Sequence, residues 1–185
     1  MVQLELNVKS FVETEFLPHL RQAREAGVRF TTMADLGDTV DARRQLYLLT
    51  MSGSADITGR GRLYTFDDYL DQRIEVASYD PQGVILALHG RHWVGMAATS
   101  ARADAASSDM TGVLLASWRG SGLSVAMTVL AIRFLRSRGK DVLRSVHHPT
   151  EFAAIATNRR LGFVDTRLSS PVDETGDRAA LPIQF

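Results

Sequence analysis

The stretch from Met110 to Arg138 constrains this chain more than any other. Met110 to Leu115 reads as a strand and Leu123 to Arg138 as a helix, with Leu123, Met127, Leu130, Ile132, Phe134 and Leu135 as core candidates. Between them lies Arg119-Gly120-Ser121-Gly122-Leu123-Ser124, a turn of small residues with one fixed cation. Strand, turn and helix in that order imply an α/β fold. A helix N-terminus carries unpaired N–H groups and a partial positive charge. Glycines in front of it let a ligand approach the backbone closely. Together they make an anion site, most naturally for a diphosphate. Gly-Ser-Gly before a helix is also an ordinary turn, so the spacing alone does not decide between the two.

Composition bounds the rest. A chain of 185 residues with 45% hydrophobic content fits one domain, or one domain with an appendage. Twenty-one basic residues balance 21 acidic ones, so nothing suggests the basic face a nucleic-acid partner requires. There is no cysteine, which excludes disulfides, cysteine nucleophiles and cysteine metal sites and suits a reducing cytosol. The opening Met-Val-Gln-Leu-Glu-Leu lacks the pattern of an export signal, and no apolar run has membrane-spanning length. The expectation is a cytoplasmic protein with no membrane partner.

Val2, Leu4, Leu6 and Val8 alternate as in a strand. A helix from Thr14 places Pro18 in its first turn, puts Phe16, Leu17, Leu20 and Ala23 on one face, and stops at Gly27. Residues 1–27 are thus expected as an N-terminal strand–helix extension to a domain at 28–185. Val28 to Met33 predicts a strand. Asp38 is positioned to cap a helix over about 39–51, and Thr65-Phe-Asp-Asp68 is a capping box for a second helix to about Val76. Residues 84–88 and 93–102 predict a hairpin around His89-Gly-Arg-His92, and a turn at 103–108 leads into the strand already described. Val142 to Val146 predicts a strand, Thr150 the cap of a short helix that Gly162 stops, and Val164 to Leu168 another strand. A polar loop at 171–179 and a final strand at 181–185 close the chain.

Strand, Arg-x-x-Gly-x-small, apolar helix, strand, and then Asn158-Arg-Arg-Leu-Gly-Phe163 resembles the GNAT N-acetyltransferase superfamily. Arg119 to Ser124 resembles its acetyl-CoA motif, and Asn158 to Phe163 its last-helix signature. The resemblance implies a mixed, mostly antiparallel sheet with helices on both faces. It implies acetyl-CoA or another short acyl-CoA as co-substrate, with no metal, and an amine acceptor that is a small molecule in preference to a protein. A homodimer is compatible with it. The expected cofactor contacts are the backbone N–H groups of Gly120, Ser121, Gly122, Leu123, Ser124 and Val125 on the diphosphate, with Arg119 either pairing with it or holding the loop, and Asn158 on the departing thiolate or the pantetheine. Two departures stand out: the motif ends in Ser124, and the stretch from Val113 to Arg119 is one residue longer than the usual spacing and lacks its proline. The oxyanion donor is therefore the amide of Val113 or of Leu114.

An ammonium must lose its proton before it attacks a thioester. Alternation puts Asp109 on the face of Thr111 and Val113, which makes it the candidate base; a turn aspartate is the plain alternative. His147 or His148, or a water chain, could do the same work. Where relatives carry a tyrosine acid this chain has Asn158, and Glu151 stands at their other common asparagine. Two rival readings follow: an acyl-CoA-binding module without transferase activity, and a Rossmann-type nucleotide domain. The second needs a third glycine that Gly120-Ser-Gly122-Leu-Ser-Val125 lacks.

Overall fold

The structure is a computed structural model that describes residues 1–54, 65–101 and 106–166. Seven strands form one sheet: β1 (Val2–Asn7), β2 (Val28–Thr32), β3 (Tyr79–His89), β4 (His92–Ala101), β5 (Ser107–Leu114), β6 (Val142–His147) and β7 (Val164–Thr166), in the order β2-β3-β4-β5-β6-β1-β7. Every neighbouring pair is antiparallel except β5 with β6. The predicted final strand and loop, and the residues beyond Thr166 of the strand expected to reach Leu168, lie outside the described residues, as do Tyr64 and most of the glycine-rich loop before it.

Residues 1–27 do not stand apart. β1 lies between β6 and β7, with Val2 opposite His147 and Glu5 opposite both Arg144 and Val164. Leu4 and Val8 are 0% exposed. They join a core with Leu143, Val129, Ile132 and Leu135. The following helix α1 (Leu17–Glu25) buries Leu20 and Ala23 and has Pro18 in its first turn, where a missing N–H matters least.

The sheet is covered on both faces. α1 and the long helix α4 (Leu123–Ser137) pack on one face, against Ile85, Ala87 and Ala97. α5 (Phe152–Arg160) joins them there through Ile155, beside Leu143. α2 (Val40–Ser54) and the short α3 (Phe66–Tyr69) pack on the other, against Leu86, Met96 and Val113. The odd and even residues of β3 divide between these two cores, as strand period requires.

The capping box at Thr65 is present: Thr65 Oγ1 accepts from the Asp68 N–H at 3.1 Å, and Asp68 accepts from the Thr65 N–H at 2.9 Å. The helix it starts then widens into a π turn over Leu70–Ile74, with the Glu75 N–H reaching back to Leu70 O at 2.8 Å. Two expected caps are corrected. α2 is capped by Thr39, whose Oγ1 accepts from the Ala42 N–H. Asp38 instead pairs with Arg43 at 2.7 Å and accepts from the Tyr79 hydroxyl at 2.9 Å, so its carboxylate is already engaged. α5 has no side-chain cap; the Thr150 hydroxyl lies 2.7 Å from His148 Nδ1.

Candidate active site

β5 and β6 are paired only at Ser107–Val142, Ser108–Leu143 and Asp109–Arg144. Beyond Asp109, β5 runs on to Leu114 and β6 runs on to His147 without pairing to each other. The two strands therefore part, and a gap opens between Met110–Leu114 and Ser145–His147. Gly112 is exposed although its strand lies between two others, and a Cβ there would meet only Met96 O within 4 Å, at 3.8 Å. The gap is lined on one side by backbone that has lost its partner strand.

Register decides which amides face the gap. The Leu115 N–H donates to Val94 O at 3.0 Å, so residues two apart on β5 turn their amides toward β4. Val113 is one of these. Leu114, in between, points its N–H away from β4 and toward β6.

The glycine loop stands at the open end of the gap. Gly120 and Gly122 both have φ +78°, a left-handed conformation that favours glycine. Gly122 is the N-cap of α4, with no side chain bonding the helix end. Ser121 stabilises the turn: its hydroxyl donates to Trp118 O at 2.6 Å and accepts from the Leu123 N–H at 3.3 Å. That spends the Leu123 amide inside the loop. Among the described residues, the amides of Gly120, Gly122, Ser124 and Val125 meet no hydrogen-bond partner. Arg119 is exposed at the loop's start. Trp118 packs its ring 5.2 Å from that of His89 and so anchors the loop to the β3–β4 hairpin.

α1 reaches the same loop. His19 Nδ1 is buried without a hydrogen-bond partner, and a Cβ built on Gly122 would lie 2.5 Å from it. Nothing local in the sequence could have announced this contact across more than a hundred residues.

On the far side of the gap is a polar cluster that sequence reading only half found. His147 Nε2 lies 2.7 Å from Ser145 Oγ and 2.9 Å from Asn158 Nδ2, which also donates to Ser145 Oγ at 3.0 Å. His147 Nδ1 lies 3.2 Å from Glu151 Oε2, which further accepts from the His148 N–H at 3.1 Å. The alternation of Ser145 and His147 on one strand face was a readable signal for it. Burial holds the His147 imidazole below its ordinary pKa, with the Glu151 carboxylate opposing that effect. Asn158 is 6% exposed and its NH2 group is committed inside the cluster, so it supports the wall of the gap through His147 and Ser145.

Asp109 sits where the strands are still paired, opposite Ser100 on β4 and Arg144 on β6. Leu114 is five positions farther along, roughly 16 Å at strand rise. Asp109 shares its face with Thr111, which lines a cavity of about 70 Å3 between β3–β5 and the π turn. Tyr69, Arg73, Ile74, Tyr79 and Met96 line it too. Burial raises both tyrosines above their ordinary pKa. Among the described residues no cluster of histidines and carboxylates could hold a metal ion.

No family model and no curated protein matches the chain. Solved structures do. A GCN5-related N-acetyltransferase from Sphaerobacter thermophilus superposes with a TM-score of 0.59 at 20% identity, over 76% of this chain and 42% of that one. The fold is that of the GCN5-related N-acetyltransferases. The ribosomal-protein-S18-alanine N-acetyltransferase of Escherichia coli gives 0.58 at 14% identity, covering 76% of this chain and 79% of that one. An aminoglycoside N-acetyltransferase solved with CoA gives 0.56 at 14%, covering 82% and 95%. The chain spans under half the length of the Sphaerobacter protein.

Proposed function

We propose that the chain is an N-acyltransferase that moves an acetyl or short acyl group from CoA to an amine. The observation that carries this is the parted β5–β6 pair with an N-terminal helix loop at its open end. A linear acyl carrier can lie in the gap against unpaired strand backbone. Its diphosphate then meets the free amides of Gly120, Gly122, Ser124 and Val125, with Arg119 adding charge. Leu123 closes the turn from within. Leu114 is the better oxyanion donor, because the Val113 amide turns toward β4. One fixed amide aimed at the developing oxyanion contributes roughly 3 kcal/mol.

In this reaction the neutral amine nitrogen attacks the thioester carbonyl carbon. The carbonyl becomes an oxyanion, the C–S bond breaks, and the thiolate takes a proton. Asp109 is the proposed base. Its distance along the strand requires a water relay through the Thr111 side of the sheet. The amine proton, delivered by that relay or by solvent, serves the thiolate, since Asn158 has no acidic proton to give. The acceptor approaches from the α2 and α3 face, and a small-molecule amine fits the 70 Å3 cavity better than a folded protein surface does.

Calorimetry with acetyl-CoA, beside a CoA-release assay over a panel of amines, tests the reading. Binding with turnover on at least one amine is the expected result; a chain that binds NADH and no CoA would sink it. Asp109→Asn should lower kcat at neutral pH, and an unchanged pH–rate profile would remove Asp109 from the chemistry. A second reading is an acyl-CoA-binding module without transferase activity. The internal commitment of Asn158 favours it, and tight binding with no turnover on any amine would establish it.

A further inference from the structure

Phe152 is 76% exposed, whereas every other described phenylalanine is at least half-buried. Its position is held. The Glu151 N–H donates to His148 O at 2.9 Å, Glu151 Oε2 accepts from the His148 N–H, and His147 Nδ1 lies against the same carboxylate oxygen. The turn from His147 to Glu151 is thereby fixed, and Phe152 follows it as the first residue of α5. Side chains of a helix lean toward its N-terminus, so a ring at the first position projects past the helix end. Hydrophobic burial does not explain a phenylalanine there.

The topology says what lies nearby. β5 and β6 are parallel, so α4 and α5, which follow them, begin at the same edge of the sheet. Both helices pack on one face, sharing a core that includes Val129, Ile132 and Ile155. The anion loop at the start of α4 and the exposed ring at the start of α5 thus flank the mouth of one gap.

We infer that Phe152 is a stacking platform for the adenine of the CoA nucleotide. The inference rests on the CoA reading above and adds a residue to it. The adenine is one ribose away from the diphosphate, and an aromatic face beside the anion loop is the chemistry that recognises a planar base. Stacking of a base on an aromatic side chain corresponds to about 5- to 150-fold in affinity.

The test is calorimetry on the full chain with acetyl-CoA, with S-acetylpantetheine, which lacks the nucleotide, and with adenosine 3′,5′-bisphosphate as competitor. Phe152→Ala should weaken acetyl-CoA binding by that factor and lose most of the competition by the bisphosphate. Phe152→Tyr should behave as the wild type, and S-acetylpantetheine should bind all three proteins alike. Circular dichroism will report an intact fold, because the ring is exposed. Wild-type binding of acetyl-CoA with no loss in Phe152→Ala would overturn the inference and leave the CoA reading standing. So would an equal loss for both acyl carriers. A wild type that binds no acetyl-CoA would overturn the CoA reading itself, and the inference with it.

Discussion

Gly122 offers the sharpest perturbation. Its φ of +78° lies in a region that side chains with a Cβ rarely adopt, and a Cβ there would come 2.5 Å from His19 Nδ1, 3.3 Å from Cε1 and 3.4 Å from Cγ. The left-handed conformation costs an alanine about 1–2 kcal/mol. Moving the His19 ring off its rotamer adds about 0.5–1.5 kcal/mol. Gly122→Ala should therefore destabilise the chain by about 1.5–3.5 kcal/mol, a fall in Tm of about 3–14 °C for a domain this size. Urea denaturation at fixed pH measures the free energy, and thermal melting checks it. Combining the change with His19→Ala removes the clash and leaves the backbone strain. The double-mutant cycle should return a coupling of about 0.5–1.5 kcal/mol. A single variant within 0.5 kcal/mol of wild type, or a cycle with no coupling, would refute the contact between α1 and the loop. Alanine is the cleaner probe than aspartate, which would add charge repulsion at the proposed anion site to the same strain.

Other outcomes are equally definite. Gly53→Ala improves helix propensity in α2 by about 1 kcal/mol, yet its Cβ would collide with Val113 Cγ1, so the net change should be destabilising in urea melts. Adding Val113→Ala should recover part of it; a stabilised Gly53→Ala protein would show that α2 does not press on β5. Leu4→Ala, at a 0% exposed position between β6 and β7, should lower stability by about 2–5 kcal/mol, and a loss below 1 kcal/mol would place β1 outside the sheet. His147 has its folded pKa lowered by burial, so the unfolded chain binds the extra proton. Its contribution is complete above the unfolded value near 6.5 and is lost as pH falls below that value toward the folded pKa. Urea midpoints should decline over this window in the wild type and decline less in His147→Gln; parallel curves would mean that the ring does not titrate against the fold.

Much of this was legible locally. The helix from Leu123, the glycine loop, the β3–β4 hairpin and the Thr65 capping box all follow from short-range rules of period and capping. What could not be read was set by distant contacts. Nothing between Val2 and Gly27 states that β1 will slot between β6 and β7, because a strand pattern names its faces and not its partners. The same holds for His19 against Gly122. The choice between Val113 and Leu114 needed the Leu115–Val94 hydrogen bond, which is a matter of register. Asp38 and Thr150 looked like caps because both residue types cap helices. Asp38 was diverted by Arg43 and Tyr79, and Thr150 by its neighbour His148.

The place of β1 in the sheet has a kinetic side. Val2 pairs with His147, 145 positions later, so the strand leaves the ribosome long before the surface it needs exists. At roughly 5–20 residues per second, the wait is about 7–30 s. During that time an apolar strand with two open edges is exposed. Pairing of β1 with β6 and then with β7 completes the sheet, with α1 packed against α4. The candidate cofactor loop is therefore finished late in synthesis, when the two ends of the described chain meet.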